Sequence, residues 1–223
     1  MKKLFILTLF LLLSINVYSA KLETLTDNFN DNSIDTVKWD AVTFTSGSVV
    51  EASGKLTLST GTDAMTMGVL SANDLYDITE SFISFKVIDV DTQEGSRSIL
   101  GVTDSLESAT YLSMFIFMSG DFFAVPPSGN PVGGAITYDS DIHKYFRIRE
   151  SSGVTYFDYS TDGIDWTTMG SEADGVGNPS NLYVPFYIIR LSDGPALSVT
   201  IDDINVLPEG SVSVDGQAII NIL

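Results

Sequence analysis

The chain has 223 residues, with 29 acidic against 11 basic side chains, one histidine and no cysteine. A formal charge of −18 repels nucleic-acid phosphates and anionic lipid headgroups, which argues against both as partners. Without cysteine, disulfide staples, thiol catalysis and a lipid-modified N-terminal cysteine are excluded.

Residues 1–19 read as an export signal. Lys2 and Lys3 supply the positive start, and Leu4–Leu13 is almost unbroken apolar sequence. Val17 and Ser19 take the two positions that signal peptidase inspects ahead of a cut after Ser19. The apolar run is shorter than the roughly 20 residues a bilayer span needs. The expected product is residues 20–223, secreted to an extracellular or periplasmic space. Its charge is −20 once Lys2 and Lys3 are gone.

Beyond the signal no amphipathic helix is legible. Short β-branched and aromatic runs alternate with Gly, Asn, Asp and Ser clusters. In chain order the pattern predicts strands at Lys21–Thr26, Trp39–Phe44, Ser48–Glu51, Lys55–Ser59, Thr66–Leu70, Ser81–Asp89 and Arg97–Thr103. It continues with Tyr111–Met118, Phe122–Val125, Tyr145–Glu150, Thr155–Tyr159, Trp166–Met169, Val184–Leu191 and Leu197–Leu207. Ser53-Gly54, Ser119-Gly120, Ser152-Gly153 and Asp162-Gly163 are turn pairs that tolerate positive φ. Met114–Met118 runs without a polar break, as in a strand covered on both faces. Ser128–Gly134 and Asn178–Asn181 read as loops, as does Glu172-Ala173-Asp174. Pro208-Glu209-Gly210 closes the domain, so residues 20–208 form one unit and 209–223 a partly apolar tail. Many strands with turns every 8 to 12 residues predict an all-β sandwich of two antiparallel sheets.

Three stretches carry a resemblance. Asp27-Asn-Phe-Asn-Asp-Asn-Ser-Ile-Asp-Thr-Val-Lys-Trp39 resembles the opening of bacterial concanavalin A-like lectin/glucanase domains, LamG-like jelly rolls. Residues His143 to Trp166 look like the long hairpins of that class, and Val199 to Val206 like its closing strand. The resemblance implies a jelly roll, with glycans or cell-surface polysaccharide as partners. It also brings glycoside hydrolysis into view, which needs two carboxylates flanking the sugar bond. The glucanase run Glu-x-Asp-x-x-Glu is missing, and His143 is the only histidine. The sequence therefore points away from an enzyme, toward a non-catalytic carbohydrate-recognition or adhesion module. The alternatives are a hydrolase or lyase with a dispersed site, or a structural surface protein.

Sugar recognition uses aromatic faces and a few fixed polar groups. Tyr145, Arg147 and Arg149 share one face of a predicted strand, and Tyr156 and Asp158 share a face of the next. Tyr187 and Arg190 offer the same chemistry later. Between the apolar anchors Phe29 and Trp39 lie Asp31 and Asp35, with Asp27 just before. Two readings of these three carboxylates stand: capping of turn backbone, or oxygen ligands to calcium.

Protein recovered from outside the cell is expected to begin at Ala20, which N-terminal sequencing checks. Retention of residues 1–19 in a membrane fraction would refute the signal.

Overall fold

The computed structural model describes residues 19–43, 47–63, 65–71, 76–104, 112–173, 179–206, 208, 211–214 and 217–220. The signal segment therefore lies outside the described residues, apart from Ser19. These residues form β1 Ala20–Lys21, β2 Trp39–Thr43, β3 Gly47–Glu51, β4 Leu56–Thr60, β5 Met65–Ser71, β6 Tyr76–Asp77, β7 Phe82–Val90, β8 Ser96–Thr103 and β9 Leu112–Met118. They continue with β10 Asp121–Val125, β11 Val132–Thr137, β12 Tyr145–Ser151, β13 Val154–Ser160, β14 Thr167–Ala173, β15 Pro185–Arg190, β16 Ser198–Asp202, β17 Ser211–Val214 and β18 Gln217–Ile220. No α-helix occurs among the described residues, and none of them is part of a helix long and apolar enough to cross a membrane.

Two seven-stranded antiparallel sheets face each other. The first has the order β11-β10-β9-β8-β15-β5-β2, and the second β14-β13-β12-β7-β16-β4-β3. This is the two-sheet jelly roll expected from the sequence. The strand period of two explains the packing. Phe85, Phe146, Ile148 and Phe157 point inward from the second sheet, and Leu100, Phe115, Phe117, Phe122 and Phe186 from the first, all fully buried. Rings from the two sheets meet edge to face, with Phe115 and Phe146 at 5.0 Å and Phe122 and Phe146 at 5.2 Å.

Local chemistry sets the turns. Ser53-Gly54, Ser119-Gly120 and Ser152-Gly153 all have positive φ at both residues. Each closes a two-residue hairpin whose twist matches its strands. Asp162-Gly163 works differently. The Asp162 carboxylate accepts the backbone N–H groups of Ile164 and Asp165, and only Gly163 has positive φ.

Four expectations change. Val132–Thr137, read partly as loop, is an edge strand. Gly133 and Gly134 both have positive φ, and a β-carbon on Gly133 would run into the Met169 carbonyl of β14, so glycine here lets the edges of the two sheets approach. Glu172 and Ala173 lie in β14 rather than in a loop. The strand expected to reach Leu207 stops at Asp202, because Asp203 and Asn205 have positive φ. Asn205 is bound at both ends: its Oδ1 accepts Ser84 N–H, and its Nδ2 donates to the Leu22 and Leu25 carbonyls. The N-terminal stretch read as a strand over Lys21–Thr26 likewise turns into a 3-10 turn at Leu22–Thr24. In the tail, β17 and β18 pair with each other.

The Asp27–Trp39 loop is anchored as its two aromatics suggest. Phe29 and Trp39 are each 1% exposed, and Trp39 packs on Phe29 at 6.2 Å and Phe186 at 5.6 Å. Phe29→Ala is expected to cost about 3–5 kcal/mol by chemical denaturation. A loss under about 1 kcal/mol would show that the loop is not held this way.

Candidate functional site

Each strand of the second sheet gives one face to the core and the other outward. On β12 the outward residues are Tyr145, Arg147 and Arg149. The β12–β13 register sets Arg147 opposite Asp158 and Arg149 opposite Tyr156. Asp158 is 0% exposed. One of its oxygens, Oδ2, accepts from Arg147 Nε at 3.0 Å, Arg147 Nη2 at 2.8 Å and Arg149 Nε at 2.8 Å. The other, Oδ1, accepts from Thr168 Oγ1 at 2.6 Å. A buried carboxylate requires such pairing, because leaving water is costly for an isolated charge.

Both guanidiniums also lie over rings. Arg147 sits 4.2 Å from the Trp166 ring centroid, and Arg149 3.9 Å from that of Tyr156. One step along β12, Lys86 stands 5.8 Å over the Tyr145 ring. Burial lowers the pKa of Arg147, against the pull of Asp158.

The same face carries carboxylates at its β7–β16 side. Lys86 Nζ is 3.2 Å from Asp203 Oδ2 and 3.8 Å from Asp202 Oδ2. The two oxygens are therefore at most about 7 Å apart, which overlaps the spacings glycosidases use. Burial, helped by the neighbouring Asp203, raises the pKa of Asp202 above the usual carboxylate value. Lys86 has a raised pKa too: burial opposes this, and Tyr145 and the two carboxylates outweigh it. Asp203 has φ +49, an uncommon backbone state outside glycine and one enriched at functional sites.

Of the seven sugar-contact residues expected, the structure brings five together: Tyr145, Arg147, Arg149, Tyr156 and Asp158. Tyr187 and Arg190 lie on β15, in the other sheet. Tyr187 faces outward there among Ile99, Ile116 and Phe123, and burial raises its hydroxyl pKa. Arg190 is buried, and its Nη1 donates to the Pro195 carbonyl. Sequence reading missed Lys86, Trp166, Thr168, Asp202 and Asp203. Lys86 had a signal, since it alternates with the core residues Phe85 and Val87.

Asp27, Asp31 and Asp35 form three successive turn caps. Their Oδ1 atoms accept the N–H groups of Phe29, Ser33 and Val37. Asp27 Oδ2 also accepts Trp39 Nε1 at 2.8 Å, and Lys38 lies 3.4 Å from Asp35. Among the described residues, no three His, Cys, Asp or Glu side chains are grouped as metal ligands. His143 is buried against Phe122 and Tyr159, and its Nδ1 accepts Asp139 N–H. Burial lowers its pKa, against the pull of Asp139.

Beneath that loop, Glu51 is 7% exposed and its Oε1 has no hydrogen-bond partner. Burial first, and Asp31 second, push its pKa up to about 7. The folded state thus holds a proton that the unfolded chain releases near pH 4.5. Stability from this group is full below pH 4.5 and falls as pH rises toward 7. Glu51→Gln should therefore raise the melting temperature relative to the parent increasingly from pH 4.5 to 7, with no further gain above. A constant difference across that window would remove Glu51 as the titrating group.

No protein-family model matches the chain, and neither does any curated protein. Solved structures do match. A laminarinase from Flavobacterium sp. UMI-01 aligns with a TM-score of 0.58 at 10% identity, covering 80% of this chain and 96% of its own. The β-glucanase of Bacillus licheniformis gives 0.57 at 11%, covering 80% and 95%. The endo-1,3-β-glucanase catalytic domain of Thermotoga petrophila RKU-1 gives 0.57 at 9%, covering 80% and 94%. The fold is thus the concanavalin A-like lectin/glucanase jelly roll. The expectation of a non-enzyme is corrected here. The matching structures are consistently named as glucanases or galactosidases, so this fold gives no ground for expecting a non-enzyme.

Proposed function

We propose that this chain is an exported carbohydrate-active protein of the glycoside hydrolase type. Its glycan runs along the outer face of the second sheet, over Tyr145, Arg147, Arg149, Tyr156 and the Asp158 that holds them. The observation that carries the reading is the carboxylate pair on one ammonium, Asp202 and Asp203 about Lys86, beside that aromatic and polar strip. The fold shared with glucanases across most of their catalytic domains supports it.

The chemistry follows from the environments. Asp202, whose pKa is raised by burial, is the better placed of the two to give a proton to the glycosidic oxygen. Asp203, ion-paired with Lys86, supplies the carboxylate that faces the developing positive charge or activates water. The Asp203 backbone, held in the left-handed region, fixes where that carboxylate points.

Mature protein incubated with β-1,3-glucan, mixed-linkage glucan and mucin-type glycans is expected to release new reducing ends from at least one of them. Asp202→Asn and Asp203→Asn should each lower the rate by about a hundredfold in protein that keeps the parent's β-sheet circular dichroism. Parent-like rates in both variants would remove these residues from the chemistry. Binding without cleavage would remove the catalytic half of the reading, and neither binding nor cleavage all of it.

A further inference from the structure

The strip is donor-only where Arg147 and Arg149 lie. Asp158 is its acceptor, and both of its oxygens are buried and already spent on the two arginines and Thr168. Arg147 uses Nε and Nη2 on Asp158, which leaves Nη1. Arg149 uses only Nε, which leaves both terminal nitrogens. The side chains remain 17% and 29% exposed. Each guanidinium is clamped between carboxylate and ring, so it is already ordered before any ligand arrives.

An ordered fork of unspent N–H donors suits an acceptor-only group, and planar guanidinium matches carboxylate or sulfate oxygens geometrically. A neutral sugar hydroxyl is both donor and acceptor, and half of that capacity would go unused here. We propose that Arg147 and Arg149 form a subsite for an acidic sugar, bearing carboxylate or sulfate, within the glycan this face engages. This rests on the functional reading above and narrows it to anionic polysaccharide. The net negative charge of the chain does not prevent it. At about 0.15 M salt, charges beyond roughly 8 Å are screened, whereas the fork acts at contact distance.

The test is calorimetric titration of the mature protein at that salt. The probes are a polyuronate oligomer, a sulfated galactan oligomer and a neutral β-1,3-glucan oligomer of equal length. At least one anionic oligomer should bind about tenfold tighter than the neutral one, and the arm that does so identifies the group. Arg149→Gln should erase that preference, weakening the anionic oligomer about tenfold more than the neutral one. Arg149→Lys keeps the charge and a partner for Asp158, so it guards against loss of fold, and it should lose most of the preference because a point charge makes no fork. Equal affinity for charged and neutral oligomers would overturn the subsite and leave the broader function standing. An unchanged preference in both Arg149 variants would also overturn it. Absence of binding to all three would overturn subsite and function together.

Discussion

Interleaved phenylalanine rings between the two sheets constrain everything else in this molecule. Phe85 and Phe146 from one sheet meet Phe115 and Phe186, or Phe117 and Phe122, from the other at 5.0 to 6.1 Å. Every second residue of the inner strands is therefore committed to the core, and a one-residue slip would turn the whole set outward. Chemistry must come from the alternate residues. On β12 that leaves Tyr145, Arg147 and Arg149, and on β7 Ser84 and Lys86. The polar strip is thus a product of the same periodicity that builds the core.

Two carboxylates show opposite solutions to burial. Asp158 gathers three N–H donors from two arginines, whose flat faces rest on Trp166 and Tyr156. Removing either arginine would leave part of that charge uncompensated, which costs more than the pair itself contributes. Glu51 is desolvated by burial and stands near Asp31 and Asp27, so its pKa is pushed up to about 7. One arrangement makes an ordered surface. The other ties the Asp27–Trp39 loop to acidity.

Much of the fold was legible because it rests on local rules. Ser-Gly pairs at 53–54, 119–120 and 152–153 announce hairpins, and Phe146 and Ile148 against Arg147 and Arg149 announce a half-buried strand. What escaped depends on distant contact. Gly133 looks like a loop residue until the Met169 backbone beside it explains why no side chain fits. The strand predicted to run to Leu207 breaks at Asp203, because the Asn205 side chain is needed by Leu22 and Leu25, far away in sequence. The candidate site was legible in the same proportion. The β12–β13 residues followed from alternation, whereas Asp202, Asp203 and Lys86 meet only through strand order. Tyr187 and Arg190, chemically alike on paper, belong to the other sheet.

The absence of a one-strand carboxylate motif carries less weight than it first suggests. Hydrolysis requires two carboxyl groups at a spacing and in unlike environments, and it is indifferent to whether one strand or two supply them. Here β16 sets Asp202 opposite Lys86 of β7 in register, and the next residue, Asp203, turns onto the same ammonium through a left-handed backbone. Both acids share one ammonium, and of the two Asp202 has its pKa raised, by burial and by the neighbouring Asp203.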